Sequence, residues 1–140
     1  MAKSKGKQSG VIEVAVAEVV DYLRINGDFA PALAEVVKRK VTADAARKSG
    51  LKVTAAELQK AADGFRAIRD LLKASDTERW LKANGIAVDA LESYLETNIL
   101  ISTFKDHLAR KAGKRFVKSR VVMDAMRELA YREWLDGAMR

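Results

Sequence analysis

Apolar positions recur along this chain every three or four residues, the spacing that lines one face of an α-helix. Val16, Val19, Val20 and Leu23 mark a first short helix, which Gly27 ends. Pro31 falls in the first turn of a second helix, after the cap candidate Asp28, where its missing N–H costs nothing. That helix is predicted to reach about Ser49, with Leu33, Val36, Val37 and Val41 on one face and Gly50 as its C-terminal cap. Thr54 and Glu57 have the spacing of a capping box, in which hydroxyl and carboxylate each satisfy a free amide of the opening turn. The helix they open carries Leu58, Ala61, Ala62, Phe65, Ile68 and Leu72 as its core face. Ser75 and Glu78 repeat the box and open a short helix with Trp80 and Leu81, closed by Asn84 and Gly85.

A long helix is predicted from about Val88 to Lys111, with one stripe at Leu91, Leu95 and Ile99 and another at Tyr94, Ile101, Phe104 and Leu108. The run Ile99-Leu100-Ile101 is apolar on all sides, which places this helix at the centre of the fold. Gly113 ends it, and a last helix runs from about Ser119 to Ala138 with Val122, Met126, Leu129 and Trp134 among its apolar positions. No alternating strand pattern of useful length and no internal repeat is present. The pattern predicts an all-α fold. Residues 11–140 form a single compact domain of about six helices, with a long central helix and a C-terminal helix packing back on the N-terminal ones. Residues 1–10, rich in Lys, Ser and Gly, read as a disordered basic tail.

Composition agrees: with 49% hydrophobic and 32% charged residues, the chain can bury a core. Cysteine is absent, which removes disulfides, thiolate metal sites and a cysteine nucleophile. No apolar stretch of signal-peptide length follows the tail, because Glu13 and Glu18 interrupt Val11 to Val20. None is long and uncharged enough to span a bilayer, so the expected location is cytoplasmic, away from any membrane.

Charge is unevenly placed. The tail carries +3, and residues 105–120 hold seven basic residues against one acid, a net +6. Together these exceed the formal +7 of the chain, so the remainder is net −2. The basic patch is Arg110, Lys111, Lys114, Arg115, Lys118 and Arg120, with Lys105 just before it. Phe116, its one aromatic, has a ring able to stack on a base, which makes this segment the best case for nucleic acid. A solubilising connector and a site for an acidic peptide are the other readings.

Catalytic chemistry is sparse. His107, the one histidine, lies near the end of the long helix, where imidazolium favours the negative end of the helix dipole. Glu92 and Glu96 are one turn apart, but no second pair and no Glu-x-x-His completes a metal site, so they read as a solvated face. There is no phosphate-cradling loop, nucleophile elbow or zinc motif. The chain is therefore expected to be no enzyme and to need no metal or other cofactor. Leu58, Phe65, Trp80, Tyr94, Phe104 and Trp134 are first of all core candidates for a small helical domain, and after that candidates to line a peptide-binding groove. Trp80 and Trp134 stand beside charged neighbours, as indole rings at a groove edge do.

One stretch resembles a known family. Val53-Thr54-Ala-Ala-Glu57-Leu58-Gln59, Asp63-Gly-Phe65-Arg66, Thr77-Glu-Arg-Trp80-Leu81, Leu91-Glu92-Ser-Tyr94-Leu95 and Leu108 are similar to the helical chaperone domain of SurA and related parvulin-type prolyl isomerases. The likeness is greatest to the shorter members found near peptide-modification gene clusters. It spans about residues 15–110, and Tyr131-Arg-Glu-Trp134-Leu135 resembles the helix that returns to this domain after the isomerase insert. Relatives carry a parvulin domain of about 90 residues there; only the connector around Gly113 to Lys118 stands in its place. Isomerase activity is therefore not implied. What the resemblance implies is a non-catalytic chaperone or escort. It would hold an unfolded or precursor polypeptide in a helical groove, as in the maturation of ribosomally made peptide natural products.

Two other readings stay open at this stage: a basic helical nucleic-acid-binding protein, and a structural adaptor subunit of a larger complex. The short connector also suits a homodimer formed by exchange of the C-terminal helix.

Overall fold

The computed structural model describes residues 11–113 and 120–140, apart from the side chains of 112, 113 and 122. The described residues form six helices and no strand: α1 Val16–Asn26, α2 Phe29–Lys48, α3 Ala55–Ile68, α4 Ala74–Ala83, α5 Val88–Gly113 and α6 Arg120–Ala138. Packing divides the chain into two units, Met1–Val37 and Lys38–Arg140, with the boundary inside α2.

In the first unit, α1 opens with the Glu18 carboxylate accepting a hydrogen bond from the Ala15 N–H at 2.7 Å. Alanine has no side-chain acceptor to return the bond, so only half of a capping box forms. Gly27, at φ +85°, ends the helix: its own N–H donates to the Arg24 carbonyl and that of Asp28 to the Leu23 carbonyl. Pro31 lies in the first turn of α2, as its chemistry requires. No residue of α1 is buried.

In the second unit, α5 is central. Its Leu100 and Phe104 form one buried cluster with Ala43 and Ala46 of α2, and Leu51, Val53, Leu108 and Trp134 pack around it. The alanines let two backbones approach closely, and the large side chains of α5 fill the space they leave. The α5 helix also packs against α3 and α6. Thr42 is fully buried, and its hydroxyl bonds to the Lys38 carbonyl and the Tyr131 hydroxyl, tying the second half of α2 to α6. The return of the last helix is thus made on α5 and on this half of α2.

The Thr54 box forms as its spacing predicts: the Thr54 hydroxyl accepts from the Glu57 N–H at 3.1 Å and the Glu57 carboxylate accepts from the Thr54 N–H at 2.9 Å. Three expectations are corrected. First, α3 stops at Ile68, four residues short of Leu72, and Leu71 is buried instead of Ile68 and Leu72. Second, the Ser75 box does not form, because α4 starts at Ala74 with Lys73 as its cap residue and Ser75 already inside the first turn. Third, Leu129 is exposed on α6, whereas Met126 and Trp134 are partly covered. The Val122 side chain lies outside the described residues.

Candidate functional site

The six residues proposed to line a groove fall in three places. The first is the turn between α3 and α4. Here α3 closes with a left-handed residue, Asp70 at φ +57°. The Leu71 N–H reaches back to the Arg66 carbonyl at 2.7 Å and the Asp70 N–H to the Ala67 carbonyl at 3.2 Å, the pair of bonds of a Schellman end. Arg66 then holds the turn from its side chain: Nε donates to the Leu71 carbonyl at 3.0 Å and to the Thr77 hydroxyl at 3.1 Å. A terminal nitrogen of the same guanidinium donates to the Leu72 carbonyl. Thr77 in turn donates to the Leu71 carbonyl at 2.7 Å. This network physically displaces the Ser75 box: the first turn of α4 is fixed by Thr77 and the Lys73 carbonyl, two residues earlier than sequence spacing indicates.

The consequence is an apolar corner. Phe65 of α3 and Trp80 of α4 meet edge to face, ring centroids 5.6 Å apart, each half-buried. Arg69 lies over the Phe65 ring at 3.7 Å, within cation–π range. Ile68 and Leu72 remain 84% and 64% exposed. Leu58, two turns before Phe65 on α3, is half-buried. Ile68 and Leu72 were read from sequence as core; the helix period identified them as large and apolar but gave no sign that the chain would turn at Asp70.

Tyr94 occupies the second place. Its ring is exposed, with the Arg39 guanidinium 4.6 Å from its centre. Arg39 also donates to the Asn98 side chain at 2.7 Å and to the Tyr94 carbonyl at 3.1 Å, so Tyr94 belongs to a clasp between α2 and α5.

The third place is the α5–α6 interface. Phe104 is buried in the core cluster and does not line a groove; its position is a correction to the groove reading. Trp134 meets it edge to face at 4.9 Å and lies near-parallel to Tyr131 at 6.2 Å. His107 stacks on Phe104, ring centroids 5.9 Å apart. Outside these rings, Lys105 pairs with Glu128 at 3.1 Å and Arg127 with Asp106 at 2.6 Å. Arg127 also donates to the Ser102 hydroxyl at 2.7 Å.

Of the basic patch, Arg110, Lys111 and Arg120 are exposed, while Lys114, Arg115 and Lys118 lie outside the described residues, as does Phe116. Among the described residues no group of three or more His, Asp or Glu side chains is arranged to hold a metal ion. No described helix is long and apolar enough to cross a membrane. No family model, no curated protein and no solved structure matches the chain.

Proposed function

We propose that this protein binds unfolded or precursor polypeptides through the apolar corner between α3 and α4, acting as a chaperone or escort without catalysis. The observation that carries this reading is the pair Ile68 and Leu72, held outward by the Arg66 turn beside the half-buried rings of Phe65 and Trp80. Exposed large apolar side chains grouped around aromatic rings are the composition of a polypeptide contact surface. Arg69 on Phe65 supplies a cation at its edge, able to hydrogen-bond a client's backbone carbonyls. The sequence likeness to the SurA-type chaperone domain favours the same function, and extends it to precursors of peptide natural products.

Each apolar client side chain buried here contributes about 1.5–3 kcal/mol before ordering costs, so a few such contacts give micromolar affinity with broad specificity. Fluorescence anisotropy of a labelled, permanently unfolded polypeptide tests this. The expected Kd is on the order of micromolar, with little change on raising salt. Replacing Ile68 and Leu72 together by Asp weakens binding about tenfold or more while leaving the helical circular dichroism intact, because both side chains already face solvent. Absence of binding, or binding unaffected by the double substitution, overturns the reading. Retention of DNA or RNA that collapses with salt, in place of polypeptide binding, turns it toward the basic residues Arg110, Lys111 and Arg120.

A further inference from the structure

Helices α3 and α4 and the turn between them hold six basic and five acidic residues, close to balance by count. Their placement is less even. Three of the acids are occupied locally. The Glu57 carboxylate closes the Thr54 box. Asp63 accepts from the Gln59 amide at 2.9 Å and lies 3.8 Å from Arg66. Asp76 pairs with Arg79. Glu78 and Lys82 each stand two residues from Trp80, about 200° around α4 from the indole, and so on the side away from Phe65. Lys60 is five residues before Phe65, about 140° around α3 from the ring.

Arg69, Asp70 and Lys73 are left at the corner itself. All three are exposed, and none takes part in an ion pair among the described residues. They interleave with the exposed apolar pair in the run Ile68-Arg69-Asp70-Leu71-Leu72-Lys73. Each of the two apolar side chains is thus followed by a cation, and one anion lies between.

Arg69 has the geometry to take a carboxylate. Its guanidinium carbon is 3.7 Å from the centre of the Phe65 ring. One terminal nitrogen makes a long bond, 3.4 Å, to the Phe65 carbonyl of its own helix. Ring and carbonyl hold the guanidinium in place, so pairing with a ligand costs little further side-chain freedom. Its Nε and second terminal nitrogen make no hydrogen bond among the described residues. That edge of the fork matches the two oxygens of a carboxylate, whereas a backbone carbonyl offers it only one.

We propose that the α3–α4 corner selects acidic clients: polypeptide segments in which Asp or Glu stands beside a large apolar residue. The apolar side chain covers Ile68 and Leu72, and the carboxylate pairs with Arg69, with Lys73 adding a second cation. This rests on the polypeptide-binding reading of the same corner and names the class of segment it takes.

Fluorescence anisotropy with three labelled, unfolded peptides tests it. They are identical except that Glu, Gln or Lys stands next to each leucine. The glutamate peptide is expected to bind about threefold or more tighter than the glutamine peptide, and the lysine peptide weaker than either. At about 0.5 M salt the ratio of glutamate to glutamine affinity falls toward one, while the glutamine peptide, held by apolar contacts, changes little. Arg69→Gln with Lys73→Gln brings the ratio to about one at low salt, with unchanged circular dichroism because both side chains are exposed. Arg69→Lys, which keeps the charge and loses the fork, keeps only part of the preference. Asp70→Asn removes the one anion at the edge and raises the ratio about twofold. Equal affinity for the glutamate and glutamine peptides overturns the proposal and leaves the polypeptide-binding reading standing. A preference that survives the double change Arg69→Gln, Lys73→Gln also overturns it. So does full displacement of the glutamate peptide by a single-stranded oligonucleotide of equal charge, which assigns these cations to phosphate. Binding of none of the three peptides overturns both readings.

Discussion

Asp70 is the one described non-glycine residue with positive φ, and it ends α3 in the same left-handed way that Gly27, Gly50 and Gly85 end theirs. An L side chain in this conformation is disfavoured by about 1 kcal/mol, less for Asp than for most residues. Asp70→Gly therefore stabilises the protein by about 0.5–1 kcal/mol, offset in part by the freer unfolded chain, and raises the thermal midpoint by a few degrees. Thermal unfolding followed by circular dichroism checks this; a lower midpoint shows that the carboxylate has a role the turn geometry does not account for. Single residues of this kind are the least legible in sequence. Glycines at 27, 50 and 85 announce their turns by type, whereas Asp70 looks like an ordinary helix-surface acid within Arg69-Asp70-Leu71-Leu72.

Helices were legible where their signals are local. The Thr54 box formed because hydroxyl, carboxylate and both amides lie within four residues, with nothing competing for them. The Ser75 box has equally good spacing and did not form, because Arg66, nine residues before it, captures Thr77 and the Leu71 carbonyl and starts α4 early. A capping motif states a local preference worth about 1 kcal/mol, and a partly buried guanidinium making several bonds outweighs it. Arg66→Ala is accordingly expected to lower unfolding stability by about 2 kcal/mol in denaturant titration, with the slope unchanged. Arg66→Lys recovers little, since an ammonium cannot reach the Leu71 carbonyl, the Leu72 carbonyl and Thr77 with one planar fork. Full stability in both variants contradicts the account of this turn.

For the molecule as a whole, the all-helical class, the order of six helices and the centrality of α5 follow from hydrophobic period alone, since Ile99-Leu100-Ile101 has no polar side to turn outward. The grouping of the aromatic residues did not follow from it. Phe65 and Trp80 met across a turn, Tyr94 met Arg39, and Phe104 met Trp134, and such pairings depend on tertiary contacts between segments up to 55 residues apart. Sequence periodicity marks a residue as apolar and large; only the fold decides whether it is enclosed, as Phe104 is, or left facing water, as Ile68 and Leu72 are.

Where an unfolded polypeptide touches this protein is the most direct test of that division. Backbone amide shifts of the labelled protein, followed during titration with an unlabelled unfolded peptide, locate the contact residue by residue. The account predicts the largest changes between Phe65 and Trp80, on both sides of the Arg66 turn. Changes confined to the end of α5 and the start of α6, or none at all at saturating peptide, contradict it.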